Sequence, residues 1–207
     1  APCSYRLAEQ DFLYRMTTAK AKCVVTCREN GADRRVLAAA EQAGVSVRFA
    51  LGGGSGYLDL LGTMDKQPGV LGRIPTSAKD PILLYFTSGT TGPPKGVLHD
   101  GAYTLSNYWG AKYMQDIHPG SLHFATGDTG WEVVCGTKFY GQWMLGGALL
   151  VYDYDRVPPE KVLETLQETK VTGMMAQPTV YRMLTKVGMD TYDLSSITNY
   201  AVGGEKL

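Results

Sequence analysis

Helical periodicity alternates along this chain with short runs of β-branched and aromatic residues, and this alternation limits the possible folds more than any other feature. It predicts an α/β protein with layered sheets flanked by helices. The predicted strands cover residues 21–26, 45–51, 82–86, 122–126, 148–152, 171–176 and 197–202. The predicted helices cover residues 8–19, 32–43, 100–115 with Asp100 as N-cap, 179–186, and a segment that starts at Pro158 and Pro159.

Composition excludes some classes of function. The 20 basic and 20 acidic residues cancel, so the chain lacks the basic surface expected of a nucleic-acid-binding protein. The longest apolar run, Met144–Tyr152, is too short to span a bilayer and predicts a buried strand. The four cysteines lack metal-ligand spacing, which favours reduced thiols and a cytoplasmic location.

The segment from Tyr85 to Gly96 predicts a binding loop for a polyphosphate. It reads Tyr-Phe-Thr-Ser-Gly-Thr-Thr-Gly-Pro-Pro-Lys-Gly and follows an apolar strand. Glycines allow close approach of the backbone to a ligand, hydroxyls donate hydrogen bonds, and Lys95 adds a positive charge. The pattern is not a Walker A loop, because Pro94 precedes the lysine and Gly96 follows it. The two prolines also argue against a helix that starts immediately at Lys95. A glycine-rich surface turn is the alternative interpretation.

This string resembles the phosphate-binding signature of the acyl-adenylate-forming superfamily, which includes acyl-CoA synthetases, luciferases and the adenylation domains of peptide synthetases. The run from Asp128 to Trp131, with the sequence around it, is most similar to medium-chain and branched-chain acyl-CoA synthetases, with acetyl-CoA synthetase as a close relative. The terminal Gly203-Gly204-Glu205 is similar to the run that lines the adenine pocket in that family.

The resemblance implies roles for individual residues, none of them a catalytic residue or a metal ligand. The implied phosphate-binding residues are Thr87, Ser88, Gly89, Thr90, Thr91, Gly92, Pro93, Pro94 and Lys95. The implied acyl-pocket residues are Trp131, Cys135, Gly136, Lys138 and Gln177. The implied adenine-binding residues are Gly204, Glu205 and Lys206. Gln177 and Lys206 depart from the usual family pattern, in which the first position is a small residue or Pro and the second is Pro or Ser.

The resemblance also implies the domain organisation. Residues 1–78 would form an N-terminal α/β portion of the AMP-binding domain, and residues 79–207 a second α/β portion with the phosphate loop and the acyl-pocket segment. The chain opens without Met and contains no Tyr-Gly-x-Thr-Glu run. We therefore expect a piece of a larger enzyme that lacks the C-terminal domain and does not turn over alone.

The implied activity is that of an AMP-forming acid–thiol ligase of fatty acid metabolism. It would use ATP with Mg²⁺, a carboxylic acid and coenzyme A, without nucleic acid or a transmembrane segment. Two alternatives remain open: another carboxylate-adenylating enzyme such as an aryl-CoA ligase, and a non-catalytic nucleotide-binding or scaffold module.

Two other motifs suggest different chemistry. Asp128-Thr-Gly130 matches the triplet of aspartic proteases, but the sequence holds no second triplet to supply the partner carboxylate. The glycines from Gly52 to Gly56 fail the Gly-x-Gly-x-x-Gly spacing of a dinucleotide loop and predict a turn. His99, His118 and His123 share no metal-ligand spacing, which favours structural or exposed roles.

Overall fold

The chain forms two compact units, residues 1–99 and residues 100–207, in a computed structural model. The structure describes residues 1–28, 31–70, 72–87, 92–131, 138–153 and 156–205. The sequence places its division earlier, between residues 78 and 79, and that division stays a prediction of domain organisation.

The first unit contains a three-stranded parallel sheet and a separate two-stranded sheet. Its elements are α1 (Glu9–Thr18), β1 (Cys23–Thr26), α2 (Ala32–Gln42), β2 (Val47–Ala50), β3 (Leu58–Asp59), α3 (Leu60–Met64), β4 (Pro81–Thr87) and β5 (Lys95–Asp100). Strands β1, β2 and β3 pair in chain order, and β4 pairs with β5. Phe12 and Met16 of α1 pack with Val36 and Ala39 of α2 to form the core of this unit.

The second unit is a four-stranded parallel sheet flanked by helices. Its elements are α4 (Gly101–Tyr113), β6 (Leu122–Ala125), α5 (Tyr140–Met144), β7 (Ala148–Leu150), α6 (Pro159–Thr169), β8 (Gly173–Ala176), α7 (Pro178–Lys186), a 3₁₀ turn (Met189–Thr191) and β9 (Asn199–Val202). The strand order is β7-β6-β8-β9. The α/β architecture predicted from the alternating pattern is therefore confirmed.

Local sequence signals account for the helix ends of the second unit. The Asp100 carboxylate accepts hydrogen bonds from the backbone N–H groups of Ala102 and Tyr103, so the predicted N-cap of α4 is confirmed. Helix α6 begins with Pro159 at its first position, where a missing N–H costs nothing. It buries the three apolar side chains that the sequence pattern turns inward, Val162, Leu163 and Leu166.

The prediction of a buried strand over Met144–Tyr152 is wrong in length and burial. Only Ala148–Leu150 forms a strand, and Val151 beyond it is 85% exposed. The reason is topological: among the described strands, β7 lies at one edge of its sheet and pairs only with β6, so it is covered less than an interior strand. The central strand β8, by contrast, is buried at every position.

No helix in the described ranges is both long and apolar enough to cross a membrane. Among the described residues, Cys3, Cys23 and Cys27 form no disulfide.

Candidate functional site

The predicted phosphate loop connects β4 to β5 in the first unit. Thr87 ends β4 with an exposed side chain, and Lys95 opens β5, also exposed. The expectation that no helix starts at Lys95 is confirmed, since the two prolines lead into a strand. Gly92 has φ +99°, and no atom of the described residues lies within 4 Å of the position that a Cβ would occupy. Four residues of the predicted site lie outside the described residues: Ser88, Gly89, Thr90 and Thr91.

Helix α1 contacts both sides of this loop. The Tyr14 hydroxyl donates a hydrogen bond of 3.0 Å to the carbonyl oxygen of Pro94. The Tyr14 ring meets the Phe86 ring edge-on, with centroids 6.1 Å apart, and the Arg15 guanidinium lies 5.3 Å from the Phe86 centroid. Sequence analysis missed these contacts, because Tyr14 and Pro94 are 80 positions apart and no local pattern links them.

In the second unit, the predicted acyl-pocket residue Gln177 lies where a strand of the parallel sheet ends. The chain passes from β6 to β7 on one side and then returns to β8 on the other, so the strand order reverses between β6 and β8. Ligands of open α/β sheets bind at such a reversal, outside the carboxyl ends of the strands. Thr126 follows β6 and Gln177 follows β8. The Thr126 hydroxyl donates a 2.7 Å hydrogen bond to Gln177 Oε1 across this reversal.

The Asp128–Trp131 segment forms a tight turn after β6. Asp128 Oδ1 accepts a 2.8 Å hydrogen bond from the Gly130 N–H, and the Trp131 N–H donates to the Asp128 carbonyl at 3.0 Å. The half-buried Trp131 indole then lies against Gly204, where a Cβ would stand 2.5 Å from Cη2. The structure thus brings together a predicted acyl-pocket residue and a predicted adenine-binding residue.

Glu205 contacts the start of α7. Its Oε2 accepts hydrogen bonds from the Thr179 N–H at 3.2 Å and from the Thr179 hydroxyl at 2.5 Å, and Arg182 Nη2 lies 3.7 Å away. A carboxylate beside a helix N-terminus is stabilised by the unpaired N–H groups there. Sequence analysis missed Thr179 and Arg182. The neighbouring predicted residue Lys206 lies outside the described residues.

Lys138 is a half-buried charged residue of the second unit. Burial lowers the pKa of Lys138, and the Asp128 carboxylate acts in the opposite direction. Burial, together with the Lys138 ammonium, lowers the pKa of His123 to about 4. His123 is fully buried, and neither ring nitrogen has a hydrogen-bond partner among the described residues. The other predicted acyl-pocket residues, Cys135 and Gly136, lie outside the described residues.

These features define a class: an α/β protein with polar side chains at the carboxyl ends of a parallel sheet and a glycine-, threonine- and lysine-containing loop between two strands. Comparison with known families is more specific. Residues 1–207 match the family described as AMP-binding enzyme, and the chain belongs to that family.

Relatives with assigned names point in the same direction. The chain is 28% identical over 205 residues to acyl-coenzyme A synthetase ACSM5, mitochondrial, of Homo sapiens. The aligned region covers 98% of this chain and 35% of the relative. It is 36% identical over 148 residues to acetyl-coenzyme A synthetase 2 of Eremothecium gossypii, covering 69% of this chain and 22% of the relative. The chain therefore spans about a third or less of the length of these relatives.

Solved structures share the fold. The anthranilate CoA ligase AuaEII in complex with anthranoyl-AMP matches with a TM-score of 0.84 at 24% identity, over 98% of this chain and 40% of that chain. A Brucella canis acyl-CoA synthetase matches with a TM-score of 0.82 at 20% identity, over 100% of this chain and 38% of that chain. At this identity the likeness establishes the fold.

Proposed function

We propose that this chain is part of an AMP-forming acyl-CoA synthetase. The observation that carries the proposal is the match of the whole chain to the AMP-binding enzyme family. The loop between Thr87 and Lys95, with its exposed flanking residues, supports it. The names of the relatives, acyl- and acetyl-coenzyme A synthetases, suggest which thioester-forming reaction the full-length protein performs.

The reaction has two steps that balance in atoms and charge. An oxygen of the substrate carboxylate attacks the α-phosphorus of ATP, and the bond to the β-phosphate bridging oxygen breaks, giving acyl-AMP and pyrophosphate. The deprotonated sulfur of coenzyme A then attacks the acyl carbon, and AMP leaves with the electrons of the broken C–O bond. Because negative charge develops on the leaving phosphates, positioned donors and cations supply most of the acceleration.

The loop of the first unit is assigned to the phosphates. Lys95 is exposed at the start of β5, so its ammonium is accessible to an anionic ligand. Gly92 has a backbone conformation that favours glycine, and no described residue fills the place of a side chain there, which allows close approach of phosphate oxygens. The hydroxyls and N–H groups of Thr87 to Thr91 are proposed as further donors.

Residues of the second unit are assigned to the acyl group and to adenine. We assign Trp131, Cys135, Gly136, Lys138 and Gln177 to the acyl pocket, and Gly204, Glu205 and Lys206 to adenine. The contact of Trp131 with Gly204 and the hydrogen bond between Thr126 and Gln177 support the view that the described members hold fixed positions. The desolvated Lys138 ammonium would make the acyl pocket less apolar than one lined by hydrocarbon alone.

Magnesium does not fit a site formed by the described residues alone. Those residues contain no group of three or more His, Cys, Asp and Glu side chains that could hold a metal ion. Mg²⁺ prefers a few carboxylates together with the oxygens of substrate phosphates, so the metal is expected to enter with ATP. We assign no step of the reaction to it.

Substrate-dependent exchange of radioactive pyrophosphate into ATP tests this proposal in the full-length protein. A panel of straight-chain, branched and aromatic carboxylates is supplied, and exchange with at least one aliphatic acid is expected. Exchange with aromatic acids only would identify an aryl-CoA ligase. Nucleotide binding without any exchange would identify a non-catalytic module and contradict the proposal. A cytoplasmic location stays a prediction, which imaging of the tagged protein would test.

A further inference from the structure

A single helix turn of α1 contacts the residues on both sides of the predicted phosphate loop. Tyr14 reaches the far side through its hydrogen bond to the Pro94 carbonyl, and it reaches the near side through its ring contact with Phe86. Arg15, the next residue, covers the same Phe86 ring. The position of Arg15 is itself fixed, because its Nη1 donates a 3.1 Å hydrogen bond to the Asp11 carbonyl.

The hydrogen bond to Pro94 acts directly on the geometry of Lys95. The Pro94 carbonyl belongs to the same planar peptide unit as the Lys95 nitrogen, so a restraint on that oxygen also restrains the direction in which Lys95 leaves the loop. The ring of Pro94 fixes its own φ and removes one further degree of freedom. Tyr14 therefore restrains the backbone immediately before the ammonium-bearing residue.

Before β5 begins at Lys95, little else in the described part of the loop provides such a restraint. No atom of the described residues lies within 4 Å of the position that a Cβ would occupy at Gly92, and Pro93 is exposed. Tyr14 is itself 37% exposed, so its hydroxyl contributes little to the stability of the fold through burial. The contact is thus better suited to setting the position of the loop than to holding the unit together.

We propose that Tyr14 is a positioning residue for the phosphate loop, which holds the Pro94–Lys95 peptide in place for the triphosphate of ATP. This inference rests on the proposed function. Tyr14 does not contact the nucleotide in this account. It acts through Pro94 and Lys95.

Tyr14→Phe in the full-length protein provides the test, because the variant keeps the ring against Phe86 and removes only the hydroxyl. Tyr57→Phe is the matched control: the Tyr57 hydroxyl also donates to a backbone carbonyl of the first unit, that of Asp33, at 2.6 Å. Both variants and the wild type are compared by direct ATP binding in calorimetry, by pyrophosphate exchange as a function of ATP and of carboxylate, and by thermal unfolding.

For Tyr14→Phe we expect the Kd and the KM for ATP to rise about fivefold, as loss of one hydrogen bond would produce. Its KM for the carboxylate and its unfolding temperature should stay close to wild type. Tyr57→Phe should leave both constants for ATP unchanged and should unfold at a lower temperature.

Two outcomes overturn the inference, and they are distinguishable. Unchanged ATP constants in Tyr14→Phe, with a wild type that binds ATP and exchanges pyrophosphate, would refute the positioning role and leave the proposed function intact. A wild type that neither binds ATP nor exchanges pyrophosphate would refute both.

Discussion

The Trp131 indole occupies the space that a side chain at position 204 would need: a Cβ on Gly204 would stand 2.5 Å from Trp131 Cη2 and 3.1 Å from Cζ2. Gly204 also has φ +90°, a conformation that favours glycine. Two independent constraints therefore keep this position a glycine. The positive φ and the contact with Trp131 should each lower the free energy of unfolding when a side chain is added.

Gly204→Ala should destabilise the protein more than backbone strain alone explains. Strain at positive φ costs about 1–2 kcal/mol, and overpacking against Trp131 adds about 1–3 kcal/mol. Gly120→Ala is the matched control, because Gly120 has φ +92° with no atom within 4 Å of its Cβ position. Free energies of unfolding from urea titrations measure the difference. Equal losses in the two variants would show that the Trp131 contact does not constrain Gly204.

The hydrogen bond between Thr126 and Gln177 should be energetically coupled. Thr126 is buried, so Thr126→Val leaves Gln177 Oε1 without its hydrogen-bond donor. This change should lower the free energy of unfolding by about 1–3 kcal/mol. A double-mutant cycle with Gln177→Met should give a coupling energy of about 1 kcal/mol. Thr165→Val, at an exposed hydroxyl on α6, should change stability by less than about 0.5 kcal/mol. Additive effects of the two site variants would contradict a shared contact.

His123 should make the protein less stable in mild acid. The pKa of His123 is about 4 in the folded protein and 6.5 for a histidine in the unfolded chain, so the unfolded chain binds the extra proton first as the pH falls. Above pH 6.5, His123 is neutral in both states and the free energy of unfolding is unaffected. Between pH 6.5 and about 4, the free energy of unfolding falls by a total of roughly 3 kcal/mol.

Urea unfolding across that pH window measures this loss, and His123→Leu should reduce the slope of stability against pH. An unchanged slope in His123→Leu would show that the acid sensitivity arises elsewhere.

Sequence reasoning succeeded where the determinants are local. The Asp100 cap depends on backbone N–H groups two and three positions along the chain, and the apolar face of α6 follows from helical spacing. Burial was less predictable. Helical spacing predicts that Leu105, Trp109 and Tyr113 share one face of α4. All three are 60% exposed or more, because periodicity identifies a face without identifying what covers it.

The candidate site shows the same limit. The glycines and the lysine of the loop stand in one short string, so the sequence identifies them together. The residues that hold the described site in place come from distant segments: Tyr14 lies 80 positions from Pro94, Thr126 lies 51 from Gln177, and Thr179 lies 26 from Glu205. Such partners depend on the tertiary fold, and a single sequence contains no signal that joins them.

The loop ending at Lys95 is proposed to hold the phosphates of ATP, and the sharpest measurement of this role is pyrophosphate exchange by Lys95→Ala in the full-length protein. Lys79→Ala, at an exposed lysine of the same unit outside the loop, is the control. We predict that Lys95→Ala exchanges about tenfold to a hundredfold more slowly than wild type, as loss of a charged hydrogen bond would produce, while Lys79→Ala is unaffected. Equal exchange by Lys95→Ala and wild type would contradict the account.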